Sequence, residues 1–400
     1  MILNGYNPTG SVLFTLYSDD KCTISTGVSG SGIISGTTAS YSTTWTPAAV
    51  GTYYWIASYA GDAANEGFTT ECGDANEMLT VVDARISINP GSAANEIGDN
   101  HTFTVKVEKN EGEGWVPVLG ARPVVTITAV GFTLVGDTCA NPGTLADGTC
   151  TVTINSSEAA IYTASASAAL DVLGATFNLV TNGLAGSSAA AVKTYVDLRI
   201  RIDPADAINN ITDPHTFTIT VEKNEGGNWL PVSGVHPTVT VNPAPLSVVD
   251  NCLTIGTTTL GKCSVVINSA VPEVFTANAT VTVSVLGVPL TRTTDGSGEN
   301  SASAIKTYLA SDLKVIKDVD WKGIPADEQQ SFTICIQGPT FPQGTEQGAC
   351  QTVGYTGGEL WWHDLIPGSY IVLEQDLGSE WNVTIATSPI VLLPDQNGAV

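Results

Sequence analysis

The side chains of this 400-residue chain that could do chemistry are four histidines, a group of loop carboxylates, eight cysteines and eight tryptophans. A histidine base needs a nucleophile and an orienting group in one pocket. His101 and His215 stand in the same His-Thr-Phe-Thr context, which points to a shared structural duty at a strand start. His236 precedes Pro237 in a loop, and His363 lies between Trp362 and Asp364 in an aromatic strand. No G-x-S-x-G elbow, H-E-x-x-H pair or P-loop occurs. The Ser-Gly-rich residues 29–36 lack phosphate-binding spacing and read as a turn. Asp62, Glu66, Asp74 and Glu77 fall in a Gly- and Asn-rich stretch. Such acids are ordinarily solvated, but paired carboxylates can cut glycosides, and oxygen ligands of this kind suit calcium. Calcium is the cofactor candidate, and no other cofactor is expected. Trp115, Trp229, Trp361 and Trp362 are read first as packing residues and second as sugar or protein contacts. Of the adjacent pair, one must face outward in a strand. The cysteines lack the C-x-x-C spacing of a zinc site. The chemistry on offer is oxidative cross-linking, and the chain reads as not an enzyme.

The elements that would position these groups are strands. Hydrophobic residues make up 42% and charged residues 14% of the chain, with 40 Gly and 20 Pro. That composition supplies packed cores and many turns, and it is all-β in character. With 39 acidic against 15 basic residues, the net charge is −24. Such a balance repels a phosphate backbone, so no nucleic-acid partner is expected. It also opposes docking on anionic membranes. No apolar run is long enough to span a bilayer, so no membrane insertion is expected. The first residues carry no leader and the last ones no anchor, and Pro394–Val400 read as a turn entering a strand that does not follow. The chain is therefore expected to be an internal fragment.

Internal repetition is the strongest signal. HTFTVKVEKNEGEGWVPV at 101–118 recurs as HTFTITVEKNEGGNWLPV at 215–232. Val82-Asp83-Ala84-Arg85-Ile86 matches Val196-Asp197-Leu198-Arg199-Ile200, and Val192-Lys193-Thr194-Tyr195 matches Ile305-Lys306-Thr307-Tyr308. Cys139 and Cys150 match Cys252 and Cys263. Repeat A thus spans 82–195 and repeat B 196–308. Phe103, Val105 and Val107 alternate with polar residues, as do Phe217, Ile219 and Val221, giving each strand one apolar face. Lys109–Gly112 and Lys223–Gly226 read as hairpin loops. Residues 1–81 form a shorter unit with a strong strand at Thr52–Tyr59, and residues 311–400 form a fourth unit.

The eight cysteines then fall two to a unit: Cys22 with Cys72, Cys139 with Cys150, Cys252 with Cys263, and Cys335 with Cys350. One pair per module is the pattern of a secreted, oxidised protein. By loop entropy the first bridge contributes about 4 kcal/mol and the two repeat bridges about 3 kcal/mol each. The joints lack Gly-Ser or Pro-rich linkers, which favours an extended rod, on the order of 150 Å for four modules. Sequons at Asn100, Asn155, Asn210, Asn278 and Asn382 fit an exposed protein.

These motifs carry a resemblance. The VDxRIxIxP opening, the HTFTV strand, the late cysteine pair and the KTY closing strand resemble bacterial immunoglobulin-like modules of the invasin/intimin type. Gly10–Tyr17, Gly51–Trp55 and Tyr59–Asp62 resemble another bacterial immunoglobulin-like repeat. Leu313–Lys317 and the Leu365-Ile366-Pro367-Gly368-Ser369-Tyr370 box with Glu374 resemble the prealbumin-like B-type module of Gram-positive collagen adhesins and pilins. That last resemblance implies an isopeptide bond from Lys317, assisted by Glu374, to an Asn in a last strand expected to lie beyond Val400.

The expectation is an all-β chain of four tandem immunoglobulin-like and prealbumin-like β-sandwich modules. As a function, it is a non-enzymatic, extracellular structural or adhesive stalk segment of a microbial cell-surface protein. The alternatives are an accessory region of a secreted enzyme and a subunit of a self-assembling filament. Candidate partners are a host, matrix or neighbouring-cell protein or glycan, or further copies of the chain.

Overall fold

The structure, a computed structural model, describes residues 5–375, 378, 380–394 and 397–399. Its regular secondary structure is almost wholly strand, and it divides into two compact units, Met1–Val196 and Asp197–Val400.

In the first unit, the N-terminal module is a six-stranded sheet in which Ser11–Tyr17 pairs antiparallel with both Ser25–Ser35 and Gly51–Tyr59. Its core is small: Val12, Ala39, Ala57 and Tyr59, with Phe14 and Ile34 beside them. The segment 29–36, expected as a turn, lies largely within the strand Ser25–Ser35. The glycines there serve close approach. A Cβ on Gly30 would meet the Tyr41 ring at 2.1 Å, and one on Gly32 would meet the Ser40 carbonyl oxygen at 2.3 Å.

Repeat A follows as a sandwich. Its first sheet joins Asp83–Asn89, His101–Asn110, Thr149–Ser156, Phe132–Asp137 and Trp115–Pro117. Its second joins Val124–Thr128, Ile161–Val172, Ala175–Val180, Ser92–Glu96 and the part of Ala191–Asp203 that lies in this unit. Period-two alternation explains the core. Ile86, Ile88, Phe103, Val105, Val107, Val152 and Ile154 face inward from one sheet, and Tyr162, Ala164, Ala166 and Tyr195 from the other. The hairpin is in place, with Asn110 opposite Trp115.

The second unit opens with repeat B, built the same way. Residues 197–203 of Ala191–Asp203 pair with His215–Asn224, which pairs in turn with Lys262–Asn268 and Trp229–Pro231. The facing sheet holds Asp206–Asn210, Ala304–Leu309, Glu273–Val285, Thr238–Asn242 and Val288–Thr293. One short helix, Asn251–Thr254, was not expected; the Asp250 side chain accepts a hydrogen bond from Leu253 N and so caps it.

The C-terminal module packs the sheet Gly358–Leu365, Ser311–Lys317, Asn397–Ala399 with a second sheet of Cys350–Gly354, Ser331–Gln337, Gly368–Glu374 and Ile390–Leu392. Leu313, Ile334, Ile336, Trp362, Leu365, Tyr370 and Val372 form its core. The expectation that no strand follows Pro394 is corrected: Asn397–Ala399 runs parallel to the first strand of the module, Asp312 opposite Asn397.

Candidate functional site

All four expected disulfides are present, with no free cysteine. Each lies within one module. In the repeats they close identical separations of 11 residues.

Two polar clusters occur in both repeats. In the first, a tryptophan lies under an arginine. The Arg85 guanidinium sits 4.2 Å from the Trp115 ring centre and binds the Glu108 carboxylate at 2.8 Å. Arg199 does the same over Trp229 at 4.2 Å and with Glu222 at 2.7 Å. The arrangement follows from register: Arg85 pairs with Glu108 across the sheet, and Trp115 pairs with Asn110 on the other side. Burial works against the Glu108 carboxylate, but hydrogen bonds from Lys106 and Arg85 outweigh it and hold its pKa low. These rings are engaged within the module, as packing residues.

The second cluster lies inside the sandwich. Lys193 and Lys306 are fully buried, on the same strand faces as Tyr195 and Tyr308. Their ammonium groups lie 4.4 and 4.6 Å from those rings. His101 and His215 are buried alongside, each set edge-on to the phenylalanine two positions on, at 4.6 Å. The Nε2 of each histidine has no hydrogen-bond partner. Burial, then repulsion from the nearby lysine, pushes both imidazoles down to about 4. Burial likewise lowers both lysines to about 8, against the pull of Asp99 and Asp213. Sequence reasoning assigned the histidines to structure and missed the lysines. The available signal was the repeated Lys-x-Tyr, since both residues share one strand face.

In the C-terminal module, Lys317 Nζ lies 2.8 Å from both carboxylate oxygens of the buried Glu374, and 4.8 Å from the Phe332 ring centre. The two residues singled out by resemblance are thus together. Asn397 lies opposite Asp312, five residues from Lys317 and about 17 Å along the strand.

The four loop acids do not converge. Asp62 accepts hydrogen bonds from Thr9 N, Thr9 Oγ1, Tyr59 Oη, Ala64 N and Asn65 Nδ2. Those from Ala64 N, Thr9 N and the Asn65 side chain hold its pKa far below the usual range. Its carboxylate is a clamp between the Thr9 segment and its own loop. Asp74 accepts from Glu71 N, Glu66 is exposed, and Glu77 is only partly exposed. Among the described residues, no three acid, histidine or cysteine side chains are grouped to hold a metal ion.

His236 Nδ1 lies 3.0 Å from the Leu253 carbonyl oxygen, which ties its loop to the short helix. Trp362 is buried and Trp361 faces outward, stacked on His363 at 5.7 Å; His363 Nδ1 meets Asp312 at 3.0 Å. Among the described residues, no helix is long and apolar enough to cross a membrane.

Neither a family model nor a curated protein matches the sequence. Among solved structures, the chain is similar to the D0-D1 domain of intimin, at 18% identity over 56% of this chain and 99% of that one, with a TM-score of 0.19. It is similar to BcpA, the major pilin subunit of Bacillus cereus, at 12% identity over 80% and 99%, with a TM-score of 0.33. A third similar structure is invasin, a bacterial integrin-binding protein, at 12% identity over 91% and 69%, with a TM-score of 0.27.

Proposed function

We propose that this chain is a load-bearing stalk segment of an extracellular surface protein, doing no chemistry on a substrate. The observation that carries the reading is where the reactive side chains are spent. Every cysteine is in an intramodule disulfide, both repeat tryptophans lie under arginines, and Asp62 is saturated by its own module. A staple in every module limits how far an unfolded module can lengthen, which is what a tether under tension needs. The disulfides also support an oxidising, extracellular setting. Exposed Trp361 and His363 are the surface at which an adhesive contact to a glycan or protein would be sought.

Single-molecule pulling on the full chain tests the reading. Reduction is expected to lengthen unfolded repeat B by roughly 30–35 Å, the extended span of the 11 residues its bridge closes less the 4.9 Å between its Cα atoms. A length indifferent to reductant, or turnover of a glycan or peptide bond by the chain, overturns it. A glycan and matrix-protein binding screen, with and without calcium, separates a pure spacer from an adhesive segment.

A further inference from the structure

The buried lysine of repeat A has a neighbour that its counterpart lacks. Ser92–Glu96 runs parallel to Ala191–Asp203, with Ala93 opposite Lys193 and Asn95 opposite Tyr195. Asn95 is therefore the diagonal neighbour of Lys193, within reach of a long side chain. Lys193 Nζ donates to Asn95 Oδ1 at 2.7 Å and to the Thr194 carbonyl at 3.1 Å. The amine is thus hydrogen-bonded to the oxygen of the Asn95 carboxamide. In repeat B the matching Asn209 turns away, donating to the Asp213 and Pro214 carbonyls at 3.3 and 3.2 Å. Lys306 Nζ there donates to the Thr307 carbonyl.

We propose that Lys193 and Asn95 are a modification site, joined by an intramolecular amide that repeat A forms by itself. The Lys193 Nζ lone pair attacks Asn95 Cγ, a new C–N bond forms, and the Cγ–Nδ2 bond breaks. One proton from Nζ moves to the departing nitrogen, which leaves as ammonia, and no oxidant or cofactor is consumed. Two conditions make this reaction feasible. The lysine must be neutral to act as a nucleophile, and burial lowers it to about 8, so that a share of the amine is neutral near neutral pH. Amine and carboxamide must also be held together, which replaces a bimolecular encounter by a positioned one. His101 is a buried neighbour of the pair. Its imidazole is close enough to Lys193 for their charges to repel, it is only 7% exposed, and its Nε2 has no partner. The amide would close 98 residues of repeat A against extension.

Intact mass and a peptide map of the reduced, alkylated full chain test this. The expected result is a chain lighter by one ammonia, with a branched peptide joining Asn95 to Lys193. Lys193→Arg and Asn95→Ala are expected to restore the full mass, Asn95→Asp to lose water in place of ammonia, and Lys306→Arg to leave the deficit unchanged. Because the unaltered chain carries the decisive reading, a variant that misfolds does not blur it. Full mass with linear Asn95 and Lys193 peptides overturns the proposal. So does a deficit that maps to Lys317 while those two peptides stay linear.

Discussion

Repeats A and B have the same sandwich, the same disulfide and the same buried Lys-Tyr-His set, yet they treat their surroundings differently. In repeat A, Leu179 is buried and apolar, and Asp83 accepts only locally, from Ala84 N, a bond that Asp197 also makes with Leu198 N. In repeat B, the position matching Leu179 is Arg292, which binds Asp197 at 2.6 Å and the Leu198 carbonyl at 2.8 Å. Asn95 reaches Lys193, while Asn209 satisfies backbone carbonyls. The difference teaches that the strand cores are held to one pattern by packing. Polar groups at their margins are free to find new partners, because several satisfied arrangements cost about the same.

The largest expected effect tests whether the two cores are equivalent. Phe103→Ala and Phe217→Ala each empty a fully buried site and are expected to lose about 3–5 kcal/mol in denaturant unfolding. A loss in one repeat without the other breaks the comparison. Next, replacing both cysteines of either repeat by alanine is expected to cost about 3 kcal/mol, equally in A and B, because both close the same separation. Calorimetry on the two double variants reads any inequality.

The histidines give a pH dependence of similar or smaller size. Unfolded, each takes up a proton near its ordinary 6.5; folded, only near 4. Between those values the unfolded chain binds more protons, so stability falls as pH drops from 6.5 to 4 and levels off below. The expected loss is about 2–3 kcal/mol per histidine, and His101→Phe or His215→Phe should remove its own share. A melting temperature flat across that window would show the imidazoles are not held neutral. Smallest is the surface stack. Arg85→Ala and Arg199→Ala are expected to cost about 1 kcal/mol each and to alter the tryptophan emission of their own repeat.

Much of this molecule was legible in its residues. Alternation at Phe103–Val107 and Phe217–Val221 marked the core strands, and one cysteine pair per unit marked the staples. The misreadings share a cause. The strand at 25–35 was hidden because Gly and Ser there serve a close approach by Tyr41 and Ser40, which no local pattern reports. Asn397–Ala399 is too short to show a period, and it is a strand because it pairs with Ser311–Lys317. What the residues did not report at Asp62 is the five donors its carboxylate accepts from, two of them from Thr9, more than fifty positions away.

By itself, the order of amino acids determined the strand-rich class, the duplication and the pattern of one cysteine pair per module. These depend on composition, on a period of two and on neighbours near in the chain. Only the tertiary structure decided that Lys193 and Lys306 point into the sandwich, that Trp115 and Trp229 lie beneath guanidinium groups, and that Lys193 meets Asn95. A two-residue period says which side chains share a face. Which face becomes interior, and what waits there from nearly a hundred residues away, is settled when two sheets close on each other.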